Sequence, residues 1–435
     1  MWGLALAFAL LLACAGGTSR TDSSLLPALR GMSVIVLLAV LASLGETARR
    51  DLRPFAVFGL ALVAVVVVQL VPLPPALWQA LPGRAMIVTG DRLIGLPAIW
   101  RPISITPADT FDDALALLPV LATLAICGLL GRDRTTWLVY GLGALILFTC
   151  LMGVLQSAAG QGSALRFYSL TNEDSAVGLF ANRNHQAALL ACGLPVAAWL
   201  AFHDPRLRMT TGARFAALAF ATVLIALMLL TAGSRAGLVL GLASAVISIA
   251  VIVPRRAGGR RMLVAGAVAG VALLGAALSL GTQFASIRRL VALPGHELRL
   301  ETFGDTLGLL ARYFPVGSGF GSFAAVYQIA ERDALLSPNY LNAAHNDLLQ
   351  IGVEGGVPAY LLLGAVLFWW GRTALALFRH GPSPRRDLGR AGFIVTVILF
   401  AASLTDYPLR TPLLGAVFVG GCWMMAMGAR RHRPR

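Results

Sequence analysis

Hydrophobic and polar positions along the chain separate into long apolar runs divided by short polar stretches. A helix that crosses a bilayer needs about 20 mostly apolar residues. By that measure the runs predict twelve spans, at about 2–16, 29–46, 55–73, 110–131, 136–157, 182–202, 213–232, 236–253, 262–281, 347–370, 390–405 and 411–428. The first and the eleventh are short, and the polar stretch Thr18 to Ser24 also admits the first two runs as one re-entrant element. The predicted fold class is all-α: a polytopic membrane helix bundle of about 12 transmembrane helices, with a long loop, 282–346, between spans 9 and 10. The chain divides into N-terminal transmembrane helices over 1–175, a second transmembrane region over 176–428 that includes this loop, and a basic tail over 429–435.

Charge placement gives this bundle an orientation. Cytoplasmic loops and flanks of membrane proteins are rich in basic residues. With the N-terminus inside, 21 arginines fall on inner loops and flanks, and the other 14 fall on the outer side, whose loops at about 74–109, 158–181 and 282–346 are much longer. Both termini are therefore expected in the cytoplasm. A loop as long as 282–346 in an otherwise compact bundle is more often functional than idle.

Composition excludes other classes. The chain is 57% hydrophobic and 13% charged, too little charge to cover a soluble protein of 435 residues. The net charge of +15 invites a nucleic-acid reading, yet the chain has no lysine and its arginines lie between apolar runs rather than along a polar face, so no nucleic-acid partner is expected. Cys14, Cys127, Cys150, Cys192 and Cys422 sit in apolar stretches without metal-binding spacing, and the histidines lack the paired spacing that zinc favours. Neither a metal nor a cofactor is expected.

Four polar clusters fall on the predicted outer side. Asn182-Arg183-Asn184-His185 opens the sixth span, where amide, guanidinium and imidazole donors meet the positive end of a helix dipole; an anion trap and a plain capping run both fit. Ser234-Arg235 lies in a tight turn of small residues between the seventh and eighth spans, where a boundary arginine either pairs, faces water or snorkels. The long loop carries Arg299 and then Pro315 and Gly317-Ser318-Gly319-Phe320-Gly321-Ser322-Phe323. That spacing departs from the dinucleotide fingerprint and fits an anion-holding turn or a simple re-entrant one. His345-Asn346-Asp347 enters the tenth span, followed by Glu354-Gly355-Gly356-Val357-Pro358. Pro358 cannot donate to the carbonyl of Glu354, so a kink or break is predicted there. On an unbroken helix His345 and Glu354 would stand about 13 Å apart, too far for direct contact.

The order of these motifs, from Asn182-Arg183-Asn184-His185 through Ser234-Arg235, Arg299, Pro315 with the glycine-rich turn, and His345-Asn346 to Glu354-x-Gly356, resembles the O-antigen ligase and polymerase family over about 175–410. The resemblance implies a metal-independent glycosyltransferase of the bacterial inner membrane. Such an enzyme takes a glycan from an undecaprenyl-diphosphate-linked donor on the periplasmic side and passes it to a hydroxyl acceptor, such as lipid A-core or a second glycan. It implies catalytic roles for His345, Arg299 and Arg183: the two arginines, with Arg235, clamp the diphosphate, and His345 orients or deprotonates the acceptor. Asn182, Asn184, His185 and Asn346 would hold the ring of donors together, Glu354 would organise the break in span ten, and Arg410 would be a weaker phosphate contact. One departure is Phe303, where the family pattern often has tryptophan.

Within the family, ligation to lipid A-core, repeat-unit polymerisation and transfer to protein are all open. From another class, a lipid-glycan flippase would also use twelve spans, but the chain shows no internal repeat and its polar clusters gather at one face rather than at the midplane.

Overall fold

The structure is a computed structural model that describes residues 1–20, 22–254, 298–333, 336 and 341–430, the side chains of 298–301 excepted. The ninth predicted span, residues 282–297 of the long loop and the end of the basic tail lie outside the described residues.

Helices form on the predicted apolar runs that the structure describes and also within the two long loops. They are α1 (Trp2–Ala15), α2 (Leu26–Ser43), α3 (Glu46–Val68), α4 (Pro75–Gln79), α5 (Ala85–Leu93), α6 (Pro107–Ala116), α7 (Leu118–Leu130), α8 (Thr136–Ala159), α9 (Arg183–His203), α10 (Thr211–Ala232), α11 (Arg235–Val251), α12 (Leu298–Tyr313), α13 (Phe323–Ala330), α14 (Asp347–Phe378), α15 (Pro384–Ala402) and α16 (Pro412–Ala429). A two-stranded antiparallel ribbon pairs Pro72 with Pro102 and Leu73 with Arg101, closing the first long loop.

Twelve spans were the expectation; among the described residues, eight helices are long and apolar enough to cross a membrane, with α6 and α7 counted as one. α1 and α11 are apolar but shorter. α15 occupies the eleventh predicted run, yet Arg385, Arg386, Asp387 and Arg390 crowd its first turns. Boundaries moved where charge precedes an apolar run: α3 already begins at Glu46, because Arg49, Arg50 and Asp51 suit a helix that extends past the hydrocarbon.

The bundle has two distinct ends. At one end Asp51, almost wholly buried, accepts both guanidine nitrogens of Arg132 at 2.7 Å and pairs with Arg430. Asp387 accepts from Arg390 at 2.7 Å, and His203 Nε2 lies 2.8 Å from the carbonyl of Ile252. These arginines are consumed by local ion pairs. The polar motifs lie at the opposite end.

The central element is α9, which is buried on nearly every side from His185 to Ala201 and packs against α8, α10, α11 and α15. A helix that is apolar all round has no water-facing face and belongs inside a bundle. The peripheral helices instead expose large apolar side chains, Leu60 of α3 at 70% and Phe220 of α10 at 72%, which only a lipid solvent accommodates without penalty. The protein is a multi-pass membrane protein.

With no hydrophobic gain from helix association inside lipid, close packing of small residues takes over. A Cβ on Gly428 of α16 would lie 2.7 Å from Gly389 Cα of α15 and 2.9 Å from the carbonyl of Arg385. Gly428→Leu is expected to destabilise the protein by about 1–3 kcal/mol through overpacking. Thermal unfolding of the purified protein checks this, and an unchanged melting temperature would contradict the packing account.

Candidate functional site

Four helices begin at the same end of the bundle, and each brings its own cap. Asn182 Oδ1 accepts from Asn184 N at 2.9 Å at the start of α9. Ser234 Oγ accepts from Gly237 N at 3.0 Å at the start of α11. Asn346 Oδ1 accepts from Leu349 N at 3.1 Å in α14, and Thr411 Oγ1 accepts from Leu414 N at 3.4 Å in α16. Caps satisfy the first orphan N–H groups, and the four helix dipoles bring partial positive charge to this end. Arg183 and Arg235 occupy the first helical positions of α9 and α11, and the two starts are tied together by Ser234 Oγ donating to Asn184 Oδ1 at 2.8 Å. Arg183 is half-buried, Arg235 is exposed, and Asn172 Oδ1 accepts the Arg183 N–H at 3.0 Å.

The hub of this end is a residue that sequence reasoning passed over. Asp406, 3% exposed between α15 and α16, accepts from Asn184 Nδ2 at 2.6 Å and Asn182 Nδ2 at 3.4 Å on Oδ2. Its Oδ1 lies 3.0 Å from His345 Nδ1, accepts Tyr407 N at 3.0 Å, and stands 3.9 Å from His185 Nε2. An ionised carboxylate only accepts, so His345 carries its proton on Nδ1 and leaves Nε2 as the basic nitrogen. The Tyr407 ring packs against both imidazoles, with ring centroids 5.2 Å from His185 and 5.1 Å from His345. His345 adopts φ +50°, a left-handed conformation rare outside glycine, and such strain collects at functional positions.

Asn182, Asn184, His185 and His345 thus share one carboxylate. Asn346 does not join them: its side chain caps α14 and donates to the carbonyl of Leu404 at 3.2 Å. Arg299 lies in the first turn of α12, and its side chain is outside the described residues.

Arg410, expected as a weaker phosphate contact, faces carboxylates instead. It donates to Glu354 Oε2 at 2.8 Å and Asp347 Oδ1 at 3.2 Å, with Asp113 Oδ2 at 4.0 Å. Burial lowers the pKa of its guanidinium, but the three carboxylates outweigh burial and hold it above the ordinary arginine value. Its charge is matched inside the protein by these carboxylates.

The break in α14 falls where Pro358 demands it. The carbonyl of Glu354, denied its helical donor, accepts from Gln69 Nε2 at 2.9 Å and Gly319 N at 3.0 Å. Gly356 takes φ +58°, and a Cβ there would lie 2.1 Å from the carbonyl of Pro315. The glycine-rich turn is built into this gap. Gly317, Ser318, Gly319 and Phe320 donate their N–H groups to the Tyr313, Val353 and Glu354 carbonyls and to Gln69 Oε1. The anion-holding reading of the turn therefore gives way to a structural one. Arg84, buried, ties the first loop to the turn by donating to the carbonyls of Ile103 and Gly317. Burial pulls its guanidinium down to about 10, so it stays charged at neutral pH.

His345 and Glu354 do not touch, as their spacing requires, but Gln350 connects their surroundings. Its amide accepts from Ala344 N at 2.9 Å and donates to Glu354 Oε1 at 3.0 Å. Among the described residues no group of three or more His, Cys, Asp or Glu side chains is arranged to hold a metal ion.

No curated protein matches the chain. Residues 220–364, from within α10 through the break in α14, match the family model described as O-Antigen ligase; this stretch carries Ser234-Arg235, Arg299, the glycine-rich turn, His345 and Glu354 but neither Asn182 to His185 nor Asp406.

Proposed function

We propose that the chain is a ligase-type glycosyltransferase that moves a glycan from undecaprenyl diphosphate to a hydroxyl acceptor such as lipid A-core. The site end faces the periplasm and the arginine-rich end, with both termini, faces the cytoplasm of the bacterial inner membrane. The observation that carries the reading is the pairing of His345 Nδ1 with Asp406 at the end of the bundle where α9 and α11 present Arg183 and Arg235.

In this mechanism His345 Nε2 takes the proton of the acceptor hydroxyl as its oxygen attacks the anomeric carbon. The bond from that carbon to the diphosphate oxygen breaks, and the electron pair leaves with the diphosphate. Arg183, Arg235 and Arg299 neutralise the developing charge through fixed, bidentate donors. Asn182, Asn184 and His185 are positioning residues around Asp406, whereas Asn346 and Glu354 hold the start and the break of α14.

The test is transfer by the purified protein from a defined undecaprenyl-diphosphate glycan, offered lipid A-core or a second repeat unit. Product on lipid A-core supports the ligase, lengthened glycan on the lipid carrier makes the protein a polymerase, and no transfer overturns the reading. Arg183→Lys keeps the charge but loses the fork, so the donor KM is expected to rise about tenfold. An unchanged donor KM would remove Arg183 from the diphosphate clamp.

A further inference from the structure

Beside the histidine–aspartate centre lies a cavity of about 410 Å³, bounded by the starts of α2 and α6, the face of α13 and the loop before α16. Its volume is near the lower end of the ~300–1,000 Å³ typical of small-molecule sites. Tyr407 separates it from the catalytic centre: the ring that lies 5.1 Å from the His345 imidazole also lines the cavity, and its hydroxyl is 3.5 Å from Asn342 Nδ2, another lining group.

The cavity's charge differs in sign from the arginine-bearing helix starts. Among its walls Arg20 pairs with Asp22 at 2.7 Å, Arg30 with Asp112 at 2.8 Å and Arg410 with Glu354 at 2.8 Å. Asp109 and Asp113 add two carboxylates beyond these pairs, Asp113 lying 4.0 Å from the already engaged Arg410. The remaining walls are not acidic and include the amides of Gln328, Asn342 and buried Gln350 beside Tyr407. Hydrogen-bond acceptors, amides and aromatic surface in one hollow suit a molecule with several hydroxyl donors, and surplus carboxylate repels a phosphate.

We infer that this cavity receives the acceptor's terminal sugar, a hydroxyl-bearing residue that is uncharged or cationic, and presents one hydroxyl past Tyr407 to His345. This rests on the transferase reading above. The separation of charge then assigns the two substrates to their places: the diphosphate donor is drawn to the arginines of α9 and α11, and the acceptor sugar to the carboxylates of α6. The diphosphate cannot take the acceptor's place without facing like charge.

The test uses the full chain in nanodiscs, an undecaprenyl-diphosphate glycan as donor, and a pair of acceptors that differ only in bearing a terminal hexose or the corresponding uronic acid. Asp109→Asn, Gln328→Ala and Ala325→Trp, the last filling the hollow from α13, are each expected to raise the hexose acceptor KM about tenfold while the donor KM stays within about twofold. The uronic acid is expected to be the poorer acceptor for the wild type and to recover in Asp109→Asn, a charge rescue that loss of folding cannot imitate. Unchanged acceptor KM in all three variants, or donor and acceptor KM rising together, would overturn the inference. Binding of the hexose glycoside without donor separates it from the transferase reading. Binding that Ala325→Trp abolishes in a protein with no transferase activity keeps the sugar site and sinks the reaction; transfer that all three variants leave untouched does the reverse.

Discussion

Replacing Asp406 by asparagine is expected to lower glycan transfer by about two to four orders of magnitude, as is removing the His345 imidazole by His345→Ala. The reason lies in how completely the carboxylate is used. Its Oδ1 faces His345 Nδ1 and the Tyr407 N–H, and its Oδ2 faces the amides of Asn184 and Asn182. An asparagine has one oxygen and one NH2 group. If the NH2 group faces His345, the imidazole must accept on Nδ1 and carry its proton on Nε2, which removes the base from the nitrogen that faces substrate. If it faces Asn184 and Asn182, donors oppose donors across 2.6 and 3.4 Å. Either arrangement spoils a site whose shape is nearly unchanged. The measurement is single-turnover transfer by purified protein with melting temperature recorded alongside. Retention of transfer within tenfold in a folded Asp406→Asn or His345→Ala protein would remove this pair from the chemistry.

That Asp406 had to be found in three dimensions shows where a sequence of this kind is legible. Membrane helices are legible because each is encoded locally: an apolar run long enough for the bilayer has no better structure available. Helix starts are legible for the same reason, since Asn182, Ser234 and Asn346 sit directly before the runs that they cap. The break in α14 was foreseeable from Pro358 alone. Asp406 carries no such local mark. It is a single carboxylate in a short connection, and the groups that give it meaning come from 182–184 and 345, brought together by the packing of α9, α14 and α15. Its one outward sign is that an acidic residue so near two apolar runs needs buried donors.

The glycine-rich turn and Arg410 show the same gap. Glycines beside small polar residues look like a phosphate cradle until the partners of their N–H groups are known, and here those partners are the Tyr313, Val353 and Glu354 carbonyls and Gln69 Oε1, the Glu354 carbonyl being the one that Pro358 releases. An arginine at the outer face looks like an anion contact until its neighbours are known, and Arg410 draws one from α6 and two from α14. In both cases polar groups that the sequence suggested were available for a ligand are used to hold the broken helix.

Arg410→Ala is accordingly expected to damage the fold rather than a single kinetic constant, at a cost of about 3–5 kcal/mol. Glu354 is fully buried and Asp347 nearly so, and without the guanidinium at 2.8 and 3.2 Å both would be left as carboxylates with no countercharge. Glu354 also accepts the Phe323 N–H at 3.2 Å and the Gln350 amide at 3.0 Å on its other oxygen, so its displacement would loosen the start of α13 and the segment leading to His345 together. The double variant Arg410→Met with Glu354→Leu removes both charges at once. Because the penalty of the single change arises from the stranded carboxylates, the double variant is expected to be more stable than the sum of the two single losses predicts. Thermal unfolding of the four proteins in one detergent measures that coupling. Additive losses, or an Arg410→Ala protein that melts with the wild type, would mean that the ion pairs at this end contribute nothing to holding α6, α14 and α16 in place.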